Sequence, residues 1–383
     1  MDRAAPDSQA CPDAGELGYR RWLDGLRGVA ILAVLAYHFD LLQGGFLGVD
    51  IFFVLSGFLI TTLLADEWRR FGSISLPRFY GRRALRLLPA FWALLIVCAV
   101  WARFTPPAEA AARYKEIVLA GCYVINWTAL HCSPTPVLGH TWSLSIEEQF
   151  YLLWPLMLFG LLRAGLRRRA ILVVIGIGIV ASAALRAYLY SLHRYGDPLW
   201  QENVYRLYLG LDTRADALLA GCFVGLLTAW DLLPKSRQSV SRCGLAAVIS
   251  AVVLGYLMVR SRHAQHTLYC GGFTLVAVLV AVILVRLIVV PSRFARAVLE
   301  SGPLVGVGRI SYALYLFHMP IIAWLVPGYR GWKNPGSSLL ALGVIFAAAT
   351  ASYFLIERPC LRLKGRLRRS APMNEVPQSR AAA

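Results

Sequence analysis

Charge is scarce in this sequence, and lysine is almost absent. Only 16% of the 383 residues are charged, 58% are hydrophobic, and four of the 39 basic residues are lysines. Soluble globular proteins contain about 25% charged and about 45–50% apolar residues, so the composition disfavours a soluble protein of two or three domains. The hydrophobicity also excludes a disordered chain, and eight cysteines are too few for a disulfide scaffold.

Acidic residues are fewer still, 21 against 39 basic ones, which gives a net charge of +18. Such an excess is typical of nucleic-acid-binding proteins, whose basic residues form a patch on a soluble domain. Here the arginines and lysines stand between long apolar blocks. This arrangement argues against a nucleic acid as partner and indicates a protein that crosses a lipid bilayer several times.

The apolar blocks predict an all-α bundle of ten transmembrane helices. A bilayer core of about 30 Å requires roughly 20 apolar residues in a helix. A further apolar stretch, 117–130, has only about 14 residues, the length of a re-entrant or interfacial segment. The ten predicted spans cover residues 28–42, 46–65, 87–102, 143–162, 170–190, 213–230, 243–259, 270–290, 305–326 and 337–356.

Basic residues between the blocks orient the predicted bundle. With the N-terminus in the cytoplasm, the inside segments contain 25 arginines and lysines and the outside segments contain eight, and cytoplasmic loops are typically rich in these residues. The sequence therefore predicts a cytoplasmic N-terminus (1–25), a ten-span domain (26–357) and a basic cytoplasmic tail (358–383). Cys122 and Cys132 share one outside loop, where an oxidising compartment would permit a disulfide; no Cys or His spacing indicates a metal site.

Ionisable residues within the predicted spans are candidates for function, because charge is costly in a bilayer. Arg27 begins the first span, and His38 lies eleven residues later, about 16 Å along a helix and on the same face. The alternatives are a membrane anchor for Arg27 and an interfacial position for His38. In the second span, Ser56 and Gly57 offer a point where a ligand chain or a helix backbone can approach closely, and ordinary helix packing is the alternative.

The fourth and sixth spans begin with charged residues. Trp142 suits a membrane interface, and Glu147 and Glu148 suit the positive end of the helix dipole. Adjacent helical residues point about 100° apart, so at most one of these glutamates faces a central cavity. In the sixth span, Arg214 and Asp216 can pair with each other.

The predicted depths divide the ionisable residues into two sets. Three arginines at the inner edge of the third span, Arg82, Arg83 and Arg86, suit phosphate groups. The other set maps to the outer half of the bilayer, where one polar cavity would account for all its members. These are His38, Asp50, Glu147, Glu148, Asp216 and His318.

Seven motifs resemble, in the same order, those of the acyltransferase 3 family of integral membrane acyltransferases, relatives of the bacterial O-acetyltransferases that modify surface polysaccharides. They extend from about residue 22 to 360. The motifs are LDGLRGVAILAVLAYHF, GFLGVDIFFVLSGFLIT, FYGRRALRLLPAFW, HTWSLSIEEQFYLLWP, TRADALLAG, GRISYALYLFHMP and IERP. The resemblance implies a bacterial inner-membrane enzyme that transfers an acetyl or other short acyl group from acyl-CoA, a substrate and not a bound cofactor, to a hydroxyl.

The implied acceptor is a carbohydrate or a glycosylated small molecule, such as a surface polysaccharide or a macrolide-type natural product. Some members of the family carry an additional esterase-like domain after the membrane part. This chain has no room for one, so the stand-alone type is expected.

The resemblance also implies roles for individual residues. The family's Arg-x10-His pair corresponds to Arg27 and His38, and its RxxR motif to Arg83 and Arg86. The arginines, with Arg82, would hold the CoA phosphates, and the pantetheine arm would pass Ser56 and Gly57. His38 would act as general base, with Asp50 or Glu148 fixing its tautomer, or would carry the acyl group transiently. The candidates on the acceptor side are Trp142, Glu147, Arg214, Asp216 and His318.

A transporter is the competing interpretation of a polar, charge-containing helix bundle. Transporters typically bind their cargo near the midplane, between paired broken helices. The sequence has no matching pair of Gly- or Pro-interrupted spans, and its polar residues map to the outer half. Consumption of acyl-CoA by the purified protein would distinguish the enzyme from a transporter and from a membrane scaffold.

Overall fold

The computed structural model describes residues 20–128, 137–192, 200–263, 265–326 and 334–369. Within these residues the secondary structure is helical, without a β-strand. The α-helices are α1 (Arg21–His38), α2 (Gly48–Phe71), α3 (Leu76–Ala102), α4 (Pro107–Gly121), α5 (Ile125–Thr128), α6 (Trp142–Arg163), α7 (Arg168–Ser191), α8 (Trp200–Leu209), α9 (Leu211–Ala229), α10 (Arg237–Arg260), α11 (Phe273–Val289), α12 (Arg293–Leu299), α13 (Gly302–Arg309), α14 (Ser311–Leu325), α15 (Pro335–Ser352) and α16 (Arg358–Arg369). The prediction of an all-α chain is therefore confirmed for the described residues.

Six helical segments in the described part of the chain are long and apolar enough to cross a membrane. A seventh candidate is the pair α13 and α14, which is bent by 68° at the break between them. All seven overlap predicted spans. The six segments are Gly45–Phe71, Leu76–Ala102, Arg168–Ser191, Arg237–Arg260, Leu268–Val289 and Pro335–Leu363.

The other three predicted spans also form helices, namely α1, α6 and α9, of 18, 22 and 19 residues. These helices carry charged residues that lower their hydropathy. Arg27 lies in α1, Glu147 and Glu148 lie in α6, and Arg214 and Asp216 lie in α9. The three helices least suited to lipid by composition thus each carry candidate site residues.

The apolar stretch 117–130 does not form one continuous helix. The helix α4 ends at Gly121, and α5 begins at Ile125. Between them Tyr123 adopts a left-handed conformation with φ of 55°, which is uncommon for a bulky residue. This break agrees with the expectation of a segment too short to span. A disulfide between Cys122 and Cys132 stays a prediction, because Cys132 lies outside the described residues.

The centre of the bundle is the crossing of α2 and α9. A Cβ atom on Gly57 would lie 1.9 Å from the Leu218 carbonyl oxygen, and one on Gly221 would lie 2.0 Å from the Val54 carbonyl oxygen. Two glycines therefore let the helix backbones touch, as small residues do between membrane helices. Of the two alternatives for Gly57, the structure shows close approach of a helix.

Candidate active site

A cavity lies among α1, α2, α3, α6 and α14. Three arginines line it, and Ser143 and Tyr315 from α6 and α14 are also in its wall. The lining residues are Arg27, Val49, Phe52, Phe53, Leu55, Ser56, Leu59, Arg83, Arg86, Leu87, Ser143, Leu144, Glu147, Tyr151, Ser311, Tyr312 and Tyr315.

The arginines of the cavity come from two helices. Arg27 lies on α1, whereas Arg83 and Arg86 are three residues apart on α3 and so share one face of that helix. The guanidinium of Arg83 lies over the Tyr151 ring, 3.9 Å from its centroid. Arg82 is not part of the cavity wall. It points about 100° away from Arg83 and pairs with Glu67 at 3.4 Å.

One glutamate faces the arginines. Glu147 lines the cavity and accepts hydrogen bonds from the Ser56 hydroxyl at 2.9 Å and from the Tyr151 hydroxyl at 3.1 Å. Its neighbour Glu148 is not part of the cavity wall, in agreement with the expectation that only one of the pair faces a cavity. Ser56 lies in the wall, whereas Gly57 packs against α9.

Three histidines gather beside the Tyr315 end of the cavity. The ring centroids of His38 and His318 are 4.9 Å apart, and those of His140 and His318 are 5.0 Å apart. Tyr315 connects this cluster to the cavity. Its hydroxyl donates to the His140 carbonyl at 2.9 Å. The same hydroxyl lies 2.5 Å from the Ser143 hydroxyl, and because the Tyr315 proton is already used, Ser143 is the donor in this second bond.

The backbone fixes the tautomer of two of these histidines. His318 donates from Nδ1 to the Tyr315 carbonyl at 2.7 Å, so its Nε2 has the lone pair in the neutral ring. That Nε2 is buried and has no hydrogen-bond partner among the described residues. His140 donates from Nε2 to the Leu316 carbonyl at 3.1 Å. Burial lowers the pKa of His140 well below its usual range, and the nearby His318 and His38 add to the effect.

The remaining charged candidates form a buried network away from the histidines. Asp50 pairs with Arg214 at 2.8 Å, and Asp216 pairs with Arg186 at 2.9 Å. The expected pairing of Arg214 with Asp216 is wrong, because residues two apart on a helix point to opposite sides. Asp50 is likewise bound to Arg214 and not to His38, so the structure does not place it as the group that fixes the His38 tautomer.

Trp142 lies between this network and the cavity. Its ring centroid is 4.7 Å from that of Tyr208, whose ring lies 5.1 Å from the Arg214 guanidinium, and 6.0 Å from that of Phe53, a cavity residue. The single polar cavity expected for the six outer residues is therefore divided. His38 and His318 lie in the histidine cluster, Glu147 lies in the cavity, and Asp50 and Asp216 lie in the ion-pair network.

Three residues of this region are absent from the sequence-based candidates. His140 lies in the turn Gly139–Thr141, just outside a predicted span. Its position at the start of the HTW motif could have identified it as a candidate. Tyr315 precedes His318 by about one helical turn, so the spacing could have placed both residues on the same face of the helix. Arg186 stands alone in an apolar helix. Within the described residues, no group of His, Cys, Asp and Glu is arranged to hold a metal ion.

The turn that carries His140 is held by a carboxylate from α4. Glu116 is buried, and its Oε1 accepts the Leu138 backbone N–H at 2.6 Å. The Thr141 hydroxyl donates to the Leu138 carbonyl at 2.7 Å within the same turn. Burial raises the pKa of Glu116 from 4.5 to about 7, and the backbone hydrogen bonds oppose this only in part.

We expect Glu116 to make the stability of the protein depend on pH. Since the folded state favours the protonated carboxyl, its contribution is present at low pH and is lost as the pH rises from about 4.5 to 7, by at most about 3 kcal/mol. Glu116→Gln stays neutral and keeps an acceptor oxygen, so its thermal unfolding in detergent should lose this dependence. Glu109→Gln on the same helix, where the carboxylate is exposed and pairs with Arg113, is the control. An unaltered pH profile in Glu116→Gln would contradict the prediction.

Comparison with known proteins relates the chain to a family of acyltransferases. A family model described as an acyltransferase domain matches residues 20–358. Peptidoglycan O-acetyltransferase OatA of Listeria monocytogenes is 35% identical over 352 residues, 88% of this chain and 55% of that protein. O-acetyltransferase OatA of Staphylococcus aureus is 33% identical over 360 residues, 91% of this chain and 58% of that protein. The chain spans a little over half the length of these relatives. No solved structure matches it.

Proposed function

The chain belongs to the acyltransferase domain family, and on that premise we propose that it is a membrane O-acyltransferase. It transfers an acetyl or other short acyl group from acyl-CoA to a hydroxyl of a carbohydrate or glycosylated small molecule. The acceptor is a surface glycan or a macrolide-type natural product. Both relatives are named O-acetyltransferases, and the name of one of them includes peptidoglycan. These names favour acetyl as the acyl group and a glycan as the acceptor.

The observation that carries this proposal is the cavity that leads from three arginines to the neighbourhood of three histidines. Arg27, Arg83 and Arg86 present guanidinium groups, which bind phosphates by paired hydrogen bonds. From Arg27 to His38 the distance along α1 is about 16 Å, on the order of the length of a pantetheine arm. A CoA thioester with its phosphates at the arginines therefore brings its carbonyl close to His38.

The chemistry follows from a neutral imidazole beside the thioester. His38 takes the proton of the acceptor hydroxyl, the hydroxyl oxygen attacks the thioester carbonyl carbon, and the carbon–sulfur bond breaks. The imidazolium then returns the proton to the departing CoA sulfur, so the products are an ester and free CoA. The ring centroid of His318 is 4.9 Å from that of His38, and its Nε2 has no hydrogen-bond partner among the described residues, so in this proposal His318 relays the proton.

We further propose that the protein has ten spans in a bacterial inner membrane, with both termini in the cytoplasm. The additional spans beyond the seven apolar candidates are α1, α6 and α9. Their charged groups are costly in lipid unless they are shielded and paired. Arg214 and Asp216 of α9 meet this condition, because they are buried and pair with Asp50 and Arg186 within the bundle. The 25-to-8 distribution of basic residues supports the orientation.

The test is acyl transfer by the purified protein in detergent or liposomes. Acetyl-CoA and a soluble glycan acceptor are supplied. The free thiol of the released CoA is quantified, and the mass of the acceptor is measured by mass spectrometry. We expect thiol release that depends on the acceptor and a mass increase of one acetyl group. Uptake of the glycan into liposomes without thiol release would support the transporter and contradict the enzyme.

A further inference from the structure

A second cleft lies where the start of α1 meets the end of α11 and the short helix α12. Three arginines line it, so we call it the basic cleft. Its wall consists of Arg20, Arg21, Trp22, Ile288, Val289, Val290, Pro291, Arg296 and Glu300. None of these residues lines the cavity of the candidate active site.

Positive charge in the basic cleft exceeds negative charge. Three arginines face one glutamate, and Arg21 uses part of its guanidinium to donate to the Glu300 backbone carbonyl at 3.2 Å. Neither Arg20 nor Arg296 has a carboxylate within 4 Å in the part of the chain that the structure describes. Unneutralised guanidinium groups that converge on a cleft suit a phosphate.

The surroundings of the basic cleft are apolar and exposed. Val290, in the cleft wall at the end of α11, has 48% of its surface exposed, and Phe294 and Val298 expose 79% and 43% on the side of α12 opposite Arg296. Large apolar side chains next to arginines at the end of a membrane helix are typical of a segment that lies in the lipid interface. The phosphate that fits here is therefore one attached to acyl chains.

The position of the cleft agrees with this ligand. Arg20 and Arg21 lie one to two helical turns before Arg27 on α1, so the cleft is at the arginine end of the active-site cavity. The start of α1 and the segment after α11 are also predicted to lie on the inner side of the membrane, where anionic lipids are concentrated. We infer that the basic cleft binds the phosphate of an anionic phospholipid, whose acyl chains cover Val290, while Phe294 and Val298 on the other side of α12 contact the surrounding lipid.

Lipid in this cleft would contact both α1 and α12. The two helices are already closely packed, since a Cβ atom on Gly25 would lie 1.8 Å from the Leu299 carbonyl oxygen. A phosphate held by Arg20, Arg21 and Arg296 would join them further and so stabilise the helix that carries Arg27 and His38. This inference does not depend on the acyl-transfer reaction.

The test measures lipid binding to the delipidated full-length protein in detergent. Dioleoylphosphatidylglycerol, dioleoylphosphatidylcholine and inorganic phosphate are added separately, and bound lipid is counted by native mass spectrometry beside the shift in thermal unfolding. We expect binding and stabilisation by phosphatidylglycerol alone. The triple variant Arg20→Gln, Arg21→Gln, Arg296→Gln should bind it roughly 100-fold more weakly, because each arginine contributes about fivefold near an anionic lipid.

The matched control removes three other arginines that are predicted to lie on the same side. Arg167, Arg168 and Arg169 are all exposed and outside the cleft, so their triple glutamine variant should bind phosphatidylglycerol as the wild type does. Equal loss in both triple variants, equal binding of phosphatidylcholine, or equal stabilisation by inorganic phosphate would each overturn the inference. If the cleft variant does not fold, Arg296→Gln against Arg169→Gln gives the same comparison, with an expected loss of about fivefold.

Discussion

Replacement of His38 by alanine is expected to reduce acyl transfer by about 10²–10⁴-fold, the usual contribution of a general base. The expectation has a geometric reason. His38 lies on the same helix as Arg27, and its ring is 4.9 Å from that of His318, in the cluster beside Tyr315 of the cavity wall. Its loss removes the base while the arginines remain, so kcat should fall and the apparent KM for acyl-CoA should stay nearly constant.

Two control variants make this result specific. His266→Ala removes an exposed imidazole that contacts Tyr190 and Cys270. None of these three residues lines the cavity, so this variant should keep wild-type activity. His38→Gln retains most of the side-chain volume and tests whether the loss comes from packing, which thermal unfolding would also reveal. A rate near that of the wild type in His38→Ala would contradict the mechanism, and loss of activity only in His318→Ala would assign the base to His318.

Local patterns were sufficient to predict the long helices. Runs of apolar residues located α1, α2, α3, α6, α7, α9, α10, α11 and α15, whereas the short helices α8 and α12 lie in segments predicted as loops between spans. The bend between α13 and α14 was not predicted, because the sequence GVGRISYALYLFHMP reads as one apolar block and has its proline ten residues after the break at Ile310. Such local signals depend on near neighbours in the chain.

Partner choice across the bundle could not be predicted in this way. Asp50 and Arg214 are 164 positions apart, and they meet because Gly57 and Gly221 let α2 and α9 cross in backbone contact. The sequence offered Asp216 as the nearer partner, and only the orientation of α9 excludes it. The histidine cluster has the same origin, since His38, His140 and His318 come from three distant segments.

Orientation about a helix axis was predicted only in relative terms. Helical spacing implied that at most one of Glu147 and Glu148 faces a cavity, and only Glu147 lines the cavity described above. Which face meets the cavity depends on the packing of α3 against its neighbours. Arg82 has the same residue type as Arg83 and Arg86 and lies in the same run, but it pairs with Glu67 and does not line the cavity.

This difference within the arginine run gives the second large prediction. Arg83→Gln and Arg86→Gln should each raise the apparent KM for acyl-CoA by about 10- to 100-fold, since a hydrogen bond to a charged group contributes about 1.5–3 kcal/mol. The change in kcat should be small, because both residues act at the phosphates and not at the thioester. Steady-state kinetics with acetyl-CoA as the varied substrate would measure the effect.

Arg82→Gln is the control, because it removes the same charge one position away. Its side chain pairs with Glu67 outside the cavity, so its apparent KM should stay within about twofold of that of the wild type. Equal increases in all three variants would mean that the run attracts CoA only through its overall charge. An acyl-pantetheine without the nucleotide phosphates makes the assignment sharper. If Arg83 and Arg86 bind those phosphates, wild type and variants should use this truncated donor equally poorly, whereas a difference that persists would place the two arginines at another part of the substrate.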